Sequence, residues 1–310
     1  RPEEDEFWFS ISDSTLMQWL QGVNVGMDFD VEIDEIDVAP MQIQGPLSED
    51  VMIEVVGEEV SDIPYYGLME AEVNGCPVLV SQTGFSGEKG FEIYVKDASK
   101  NAEAVWDPVL DEVKAHGGRQ IAPGHHRRIA AGIMSWGQDL DHETSPFQVD
   151  LGFQVPDDKD ADYIGKEELE RQKELIEDGE YPFEMKLIGL KMAGEPIRDY
   201  APDFWLISDP ETGEECGYLT SPWWNPDLET NIGMGFVPAE KLQEVTDTPL
   251  NDDIYDEDLD LEFRVHLPDE YAEEPGEPVY ATTARIPFKE SVNPSAREQA
   301  KLSARQEAED

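Results

Sequence analysis

Apolar and polar positions recur with readable periods along most of the chain. The run Phe7-Trp8-Phe9-Ser10-Ile11-Ser12 predicts a strand over 7–12. Asp13 or Ser14 is placed to cap a helix over 15–21, with Gly22 marking its end. Residues 30–38, DVEIDEIDV, alternate charge with Val and Ile, the pattern of a half-buried strand. A second strand over 41–44 is stopped by Gly45-Pro46, and a short helix over 48–56 follows. Strands over 78–80 and 91–95 flank a turn-rich segment, 83–90. A helix over 102–116 carries Ala104, Val105, Val109, Leu110 and Val113 on one face. Another, over 126–134, starts after Pro123-Gly124. Strands and helices mixed in this order with short links indicate an α+β layer.

The texture changes in the second half. Residues 156–182 are charged and mostly helical, with a helix over 165–176, and read as a connector. From Phe183 onward, short strands over 185–192, 215–220, 233–237, 261–265 and 280–286 are separated by Gly, Pro, Asn and Asp. That is the pattern of a small all-β domain. The expected division is therefore an α+β domain over 1–155, a helical connector over 156–182, an antiparallel β-barrel over 183–290 and a polar tail over 291–310.

Composition narrows the function. The 310 residues carry 71 acidic and 22 basic side chains, a net charge of −49. A surface of that sign repels phosphates, so neither a nucleic acid nor an anionic membrane is an expected partner. No run approaches the roughly 18–20 apolar residues of a membrane span. High charge with a mean hydropathy of −0.53 would fit disorder. However, 7 Trp, 10 Tyr and 12 Phe are spread through the predicted elements, enough to build a core. The acid then reads as a coat on a folded protein. It self-repels in dilute buffer, where the Debye length is about 10 Å, and little at molar salt, where it is about 3 Å. A high-salt cytoplasm is the expected setting. Cys76 and Cys216 form neither a disulfide framework nor a CxxC pair. The chain opens at Arg1 with no signal segment and runs at once into the 7–12 strand, so it reads as a fragment.

Two stretches carry candidate chemistry. In Thr83-Gly84-Phe85-Ser86-Gly87-Glu88-Lys89-Gly90-Phe91-Glu92-Ile93-Tyr94, three glycines allow a tight loop and a close backbone approach. On the strand that follows, Glu92 and Tyr94 share a face and Phe91 and Ile93 take the other. A carboxylate beside aromatic rings can accept two parallel N–H donors from a guanidine-like heterocycle while the ring stacks, and a pterin edge has that pattern. The plainer alternative is a hairpin turn with a solvent-facing Glu, which the residues alone favour. In His126-Arg127-Arg128-Ile129-Ala130-Ala131-Gly132, the two arginines are scarce cations in an acidic chain, so at least one has a specific partner. Here too the plainer alternative, an internal ion pair bracing the structure, is favoured by the residues alone. His116, His125, His126, His142 and His266 show no HExxH spacing, so no metal site is expected. Cys76, in Asn74-Gly75-Cys76-Pro77 with no basic neighbour, reads as structural. Gly87-Glu88-Lys89-Gly90 lacks P-loop spacing.

The motifs in order are Gln44-Gly45-Pro46, TGFSGEKGFEI from Thr83, RRIAAGI from Arg127, GQDLD from Gly137, Ser145-Pro146-Phe147, YIGK from Tyr163, GYLTS from Gly217 with NIGMG from Asn231, and Pro287-Phe288. This series resembles the glycine-cleavage T-protein (aminomethyltransferase) family over about residues 7–290. FWFSISDS, the Tyr of EIYV, RRI and a long loop after the second helix lean towards the dimethylsulfoniopropionate-demethylase-like branch. The resemblance implies a cloverleaf of two α/β lobes, the first incomplete here, plus a C-terminal β-barrel around a central hole that takes tetrahydrofolate. It implies that Glu92 binds the pterin ring and that Arg128 sits near the folate tail or braces the site. Phe85 stands where a Tyr or Trp packs on folate, Phe153 stands where many members have Trp, and Tyr94 matches an aromatic of the demethylase-like branch. Ala130 replaces a usual Glu, Gln82 a usual Arg, and Pro222-Trp223-Trp224 a smaller turn. The resemblance implies that the family's Asp-bearing segment, which faces the reactive nitrogen, lies before Arg1, so the catalytic residue is expected outside this sequence.

The implied function is transfer of an aminomethyl or methyl group to tetrahydrofolate, from a small one-carbon donor or from a lipoyl carrier protein. A sulfonium donor is already activated and asks mainly for positioning. An aminomethyl donor needs an acid for amine departure. Two other classes stand beside it. One is a folate-binding module without catalysis, disfavoured by the absence of a KGCFxGQE-type motif. The other is a C-terminal module of a flavin amine dehydrogenase, which an upstream GxGxxG would reveal.

Overall fold

The computed structural model describes residues 1–11, 15–156, 159–198, 204–246, 250, 259–268 and 275–289. The chain forms two compact units, one of residues 1–84 and 89–121 and the other of 85–88 and 122–310. The predicted cap residues Asp13 and Ser14 and the 291–310 tail lie outside the described residues.

The first unit is built on a four-stranded antiparallel sheet in the order β1-β4-β3-β2: β1 Val38–Gln44, β4 Gly90–Lys96, β3 Cys76–Ser81 and β2 Leu68–Val73. Helices α2 (Ser48–Val56) and α3 (Ala98–Ala115) cover one face. Met52, Val80, Phe91, Ile93, Val95 and Val105 are buried between them. Asn74-Gly75, both at positive φ, make the two-residue turn that twists with the β2–β3 hairpin. Asn74 has a second duty. Pro108 inside α3 has no N–H for the Ala104 carbonyl, and Asn74 Nδ2 donates to that oxygen at 3.2 Å.

Two predicted strands do not form in this unit. Residues 7–11 lie outside any strand, and Phe7, Phe9 and Ile11 are exposed. Residues 30–37 alternate as expected but pair with no described strand. In the register Val38 faces Lys96, the last residue of β4, so anything before Val38 runs past the end of the ladder. Helix α1 (Leu16–Met27) continues through Gly22 and stops where Asp28 turns left-handed.

In the second unit, six strands close into a barrel. The circuit runs β5 (Met185–Met192), β11 (Pro275–Ala284), β10 (Glu262–Pro268), β6 (Trp205–Ser208), β7 (Glu215–Leu219) and β9 (Thr230–Pro238), which pairs back onto β5. The short β8 (Trp223–Asn225) adds to β9 from outside the ring. The expected fold class, α+β followed by an antiparallel barrel, is what the structure shows. Leu190, Ile207, Leu219, Phe263 and Val265 fill the barrel core.

Helix α4 (His125–Ala130) ends four residues before the predicted Met134. Gly132, at φ 72°, donates to Ile129 O, and Ile133 N reaches back to Arg128 O at 2.8 Å, the paired bonds of a glycine-terminated helix end. A Cβ on Gly132 would also strike Ile286 Cγ2 at 2.6 Å. Helix α5 (Lys166–Glu177) and α6 (Ala239–Gln243) complete the described helices of this unit, apart from single 3-10 turns at Pro146–Gln148 and Gly152–Gln154.

Candidate functional site

Alternation along β4 sorts its side chains cleanly. Phe91, Ile93 and Val95 are fully buried beneath the helices, and Glu92 and Tyr94 are half-buried on the opposite face. The β1 register sets Gln42 directly across from Glu92, and the β3 register sets Ser81 on its other side. Gln42 Nε2 donates to Glu92 Oε1 at 2.8 Å. The Tyr94 hydroxyl donates to Oε2 at 3.0 Å, and the Thr83 hydroxyl donates to the same oxygen. Glu92 is therefore not a loose solvent-facing side chain. It is held by three donors on one sheet face.

Two tyrosines stand by this carboxylate. Burial, then the charge of Glu92, pushes the Tyr94 phenol up to about 12. Tyr65 is also pushed up, by burial first, then Tyr66, with Glu92 contributing. Both phenols remain protonated at neutral pH and present a ring plus a donor. The rings of Tyr65 and Tyr66 lie 4.3 Å apart.

The glycines of the 83–90 loop have a reason that does not involve a ligand. The carboxamide of Gln44 occupies the space between Gly84 and Gly90, where a Cβ on either would collide with it. Gln44 Nε2 donates to Thr83 O at 3.2 Å. Gly45 N and Ser48 Oγ both donate to Lys89 O, at 2.8 and 3.0 Å, and Lys89 pairs with Glu49. The loop end that carries Thr83 is thus fixed, and with it the Thr83 contact to Glu92.

Arg128, in the second unit, is 1% exposed and pairs with Asp139, 0% exposed, at 2.5 Å. Its Nη2 donates to Ser221 Oγ at 2.8 Å and to Gln138 Oε1 at 3.2 Å, and its Nη1 to Ile133 O at 3.2 Å. Asp139 in turn accepts from Ser135 N and from the Thr220 and Ser221 hydroxyls. Three motifs that are separate in sequence (RRIAAGI, GQDLD and GYLTS) meet in this one network. Both terminal nitrogens of the guanidinium are committed to protein groups, and the buried Nε makes no hydrogen bond, so its contacts describe a brace. His125 stacks on Trp223 with ring centroids 5.3 Å apart, and burial, then Arg128, pushes its imidazole down.

Phe85 belongs to the second unit and is half-buried, as is Phe153 in the turn Gly152–Gln154. Glu92 and Tyr94 are brought together; Arg128, Phe85 and Phe153 are each placed within the other unit. Sequence reasoning missed Gln42, Thr83 and Tyr65. Gln42 was readable, because Met41-Gln42-Ile43-Gln44 alternates and one register places it opposite Glu92. Cys76 opens β3 and is half-buried. Among the described residues, no group of three His, Cys, Asp or Glu side chains is placed to hold a metal ion, and no helix is long and apolar enough to cross a membrane.

Known proteins share this architecture. The GCVT N-terminal domain family matches residues 1–159. The aminomethyltransferase of Geobacillus sp. (strain WCH70) is 33% identical over 228 residues, 72% of this chain and 58% of that protein. The aminomethyltransferase of Bacillus pumilus is 34% identical over 255 residues, 78% and 64% of the two chains. Dimethylsulfoniopropionate demethylase DmdA of Ruegeria pomeroyi is 30% identical over 242 residues, 75% and 60%. The chain thus spans 58–64% of the length of these curated relatives. The crystal structure of glycine cleavage system aminomethyltransferase T from Bartonella henselae matches 89% of this chain and 66% of its own, with a TM-score of 0.67 and 20% identity, a likeness of fold.

Proposed function

The chain belongs to the GCVT (glycine-cleavage T-protein) family, and on that premise we propose that it serves a tetrahydrofolate-dependent one-carbon transferase of the aminomethyltransferase type. The observation that carries the reading is Glu92, held by Gln42, Thr83 and Tyr94 on the sheet face that the helices leave open. The residues fit the pterin end of a folate. A carboxylate has about four lone-pair sites, so Glu92 keeps acceptor capacity beyond its three donors. The Gln42 side-chain carbonyl, on the same amide that donates to Glu92, offers a second acceptor. A row of acceptors suits the amino and ring N–H edge of a pterin, and Tyr94 and Tyr65 supply flanking rings.

Tetrahydrofolate, when bound, supplies the nitrogen that takes up the one-carbon unit. Glu92 anchors and orients the ring and is not a base in this scheme. By the family resemblance Phe85 and Phe153 are proposed folate contacts, and Arg128 braces Ser221 and Gln138 within the second unit. No residue is assigned here to move a proton. Residues 1–155 form the folate-binding part and 183–290 the barrel, in a high-salt cytoplasm. The donor is a small one-carbon compound or a lipoyl carrier protein.

A second reading, demethylation of a sulfonium, draws support from the similarity to the demethylase of R. pomeroyi. Its leaving group is a neutral thioether, so positioning alone suffices. Calorimetric titration with tetrahydrofolate at molar salt tests the shared part. Binding at micromolar concentration supports it, and no heat beyond dilution contradicts it. Where turnover is seen, methylene-tetrahydrofolate identifies the aminomethyl route and methyl-tetrahydrofolate the demethylase route.

A further inference from the structure

The second unit buries another cation besides Arg128. Lys186 on β5 is 0% exposed, and its Nζ donates to Asp150 Oδ1 at 2.8 Å and to Phe147 O at 3.4 Å. The Tyr181 ring centroid lies 5.7 Å from the same nitrogen. Asp150 is 5% exposed and sits at φ 57°, a left-handed backbone that Asp tolerates better than most residues. The adjacent residue of β5 is used as well: Gln148 Nε2 donates to Met185 O at 3.2 Å. Gln148 Oε1 accepts from Ser145 N at 3.0 Å, and Ser145 Oγ accepts from Phe147 N. Strand β5 therefore holds the segment 145–150 at two successive residues, and the chain leaves this clamp directly into Leu151-Gly152-Phe153.

A buried ion pair is a poor way to gain stability, since well-packed apolar residues of similar volume are often as stable or more so. What it provides is a fixed position: a lysine that must meet one carboxylate, and a carboxylate that must stay in one backbone conformation. We propose that Asp150 and Lys186 are positioning residues that set the place of Phe153. This inference rests on the reading of Phe153 as a ring that packs on tetrahydrofolate. It assigns the buried pair a role in ligand affinity beyond folding.

The test uses the full 310-residue chain at molar salt, with three variants: Asp150→Asn, Lys186→Met and the two combined. Asn tolerates the same left-handed backbone, so the backbone requirement is kept. Two quantities are read. One is tetrahydrofolate affinity by calorimetry. The other is the fluorine NMR line of 4-trifluoromethylphenylalanine placed at position 153, with urea midpoints as the folding control. Each single variant is expected to weaken tetrahydrofolate binding on the order of tenfold and to change the width or number of the fluorine lines. The double variant is expected to recover the urea midpoint, because no unpaired charge remains, without recovering affinity or the single sharp line. Recovery of affinity and line shape together with the midpoint overturns the proposal, because the pair would then matter only for folding. A wild-type chain that fails to bind tetrahydrofolate sinks the functional reading. The clamp is then judged on the fluorine line alone, where an unchanged line in all three variants overturns it.

Discussion

The Arg128–Asp139 network makes a sharp prediction about stability. Asp139→Ala removes the carboxylate paired with Arg128 and leaves a guanidinium that is 1% exposed. Several hydrogen bonds survive the change. Thr220 keeps Met234 O at 2.9 Å, Ser221 keeps Arg128 Nη2 at 2.8 Å, and Nη1 keeps Ile133 O at 3.2 Å. The lost bonds ran to a carboxylate, worth about 1.5–3 kcal/mol each, offset in part where the Thr220 and Ser221 hydroxyls keep other partners. The uncompensated buried charge dominates, and breaking such a pair from one side costs about 3–5 kcal/mol. Arg128→Met is milder, about 3 kcal/mol, because Asp139 retains Ser135 N and two hydroxyls as donors. The double variant should cost less than the sum of the singles by about 2–3 kcal/mol. Urea unfolding followed by circular dichroism gives these values, with KCl held constant. Burial shields the pair from ions, so the coupling should persist from dilute to molar KCl. A cost below about 1 kcal/mol for Asp139→Ala, or strict additivity in the double variant, would refute the reasoning.

Three further outcomes are expected. Gly84→Ala should destabilise the first unit by about 1 kcal/mol by expelling the Gln44 carboxamide, and Gln44→Ala in the same chain should relieve most of that cost; full additivity would show that the glycine has another purpose. His125 is pushed down by burial and Arg128, so the folded state resists its protonation, and stability present above the ordinary histidine range is lost as pH falls below it. His125→Phe keeps a ring against Trp223 and should flatten that acid slope in urea midpoints taken across pH 5 to 7; an unchanged slope assigns the loss elsewhere. With a net charge of −49, the urea midpoint should rise steadily as KCl goes from tenth-molar to molar, and a flat or falling curve rules out the high-salt setting.

How much could be read in advance depended on whether a local pattern had to find a distant partner. The predicted strands carry their own alternation between turn residues: 78–80, 91–95, 185–192 and 233–237 lie within observed strands, and 215–220, 261–265 and 280–286 overlap β7, β10 and β11 but overrun them by one or two residues. Residues 30–37 have an equally good alternation and no strand, because β4 ends opposite Val38. The edge strand β2 starts at an exposed Leu68 and carries two glutamates, and β6 and β8 are too short to show a period. At the site, Glu92 and Tyr94 were legible from spacing two along one strand. Their partners Gln42 and Thr83 come from other parts of the chain through register and loop closure. The glycines of the loop pointed to a ligand in sequence and to the Gln44 side chain in structure, since both call for the same missing Cβ. The brace around Arg128 joins residues 128, 139 and 221, a separation that no local pattern encodes.

The account stands most directly on Glu92. Calorimetry of tetrahydrofolate binding at molar salt should show that Glu92→Ala weakens affinity by about 2–4 kcal/mol, measured where the urea midpoint shows the variant still folded, since the loss of three donors' partner also lowers stability. An affinity for tetrahydrofolate equal to that of the unmodified chain would contradict the central claim.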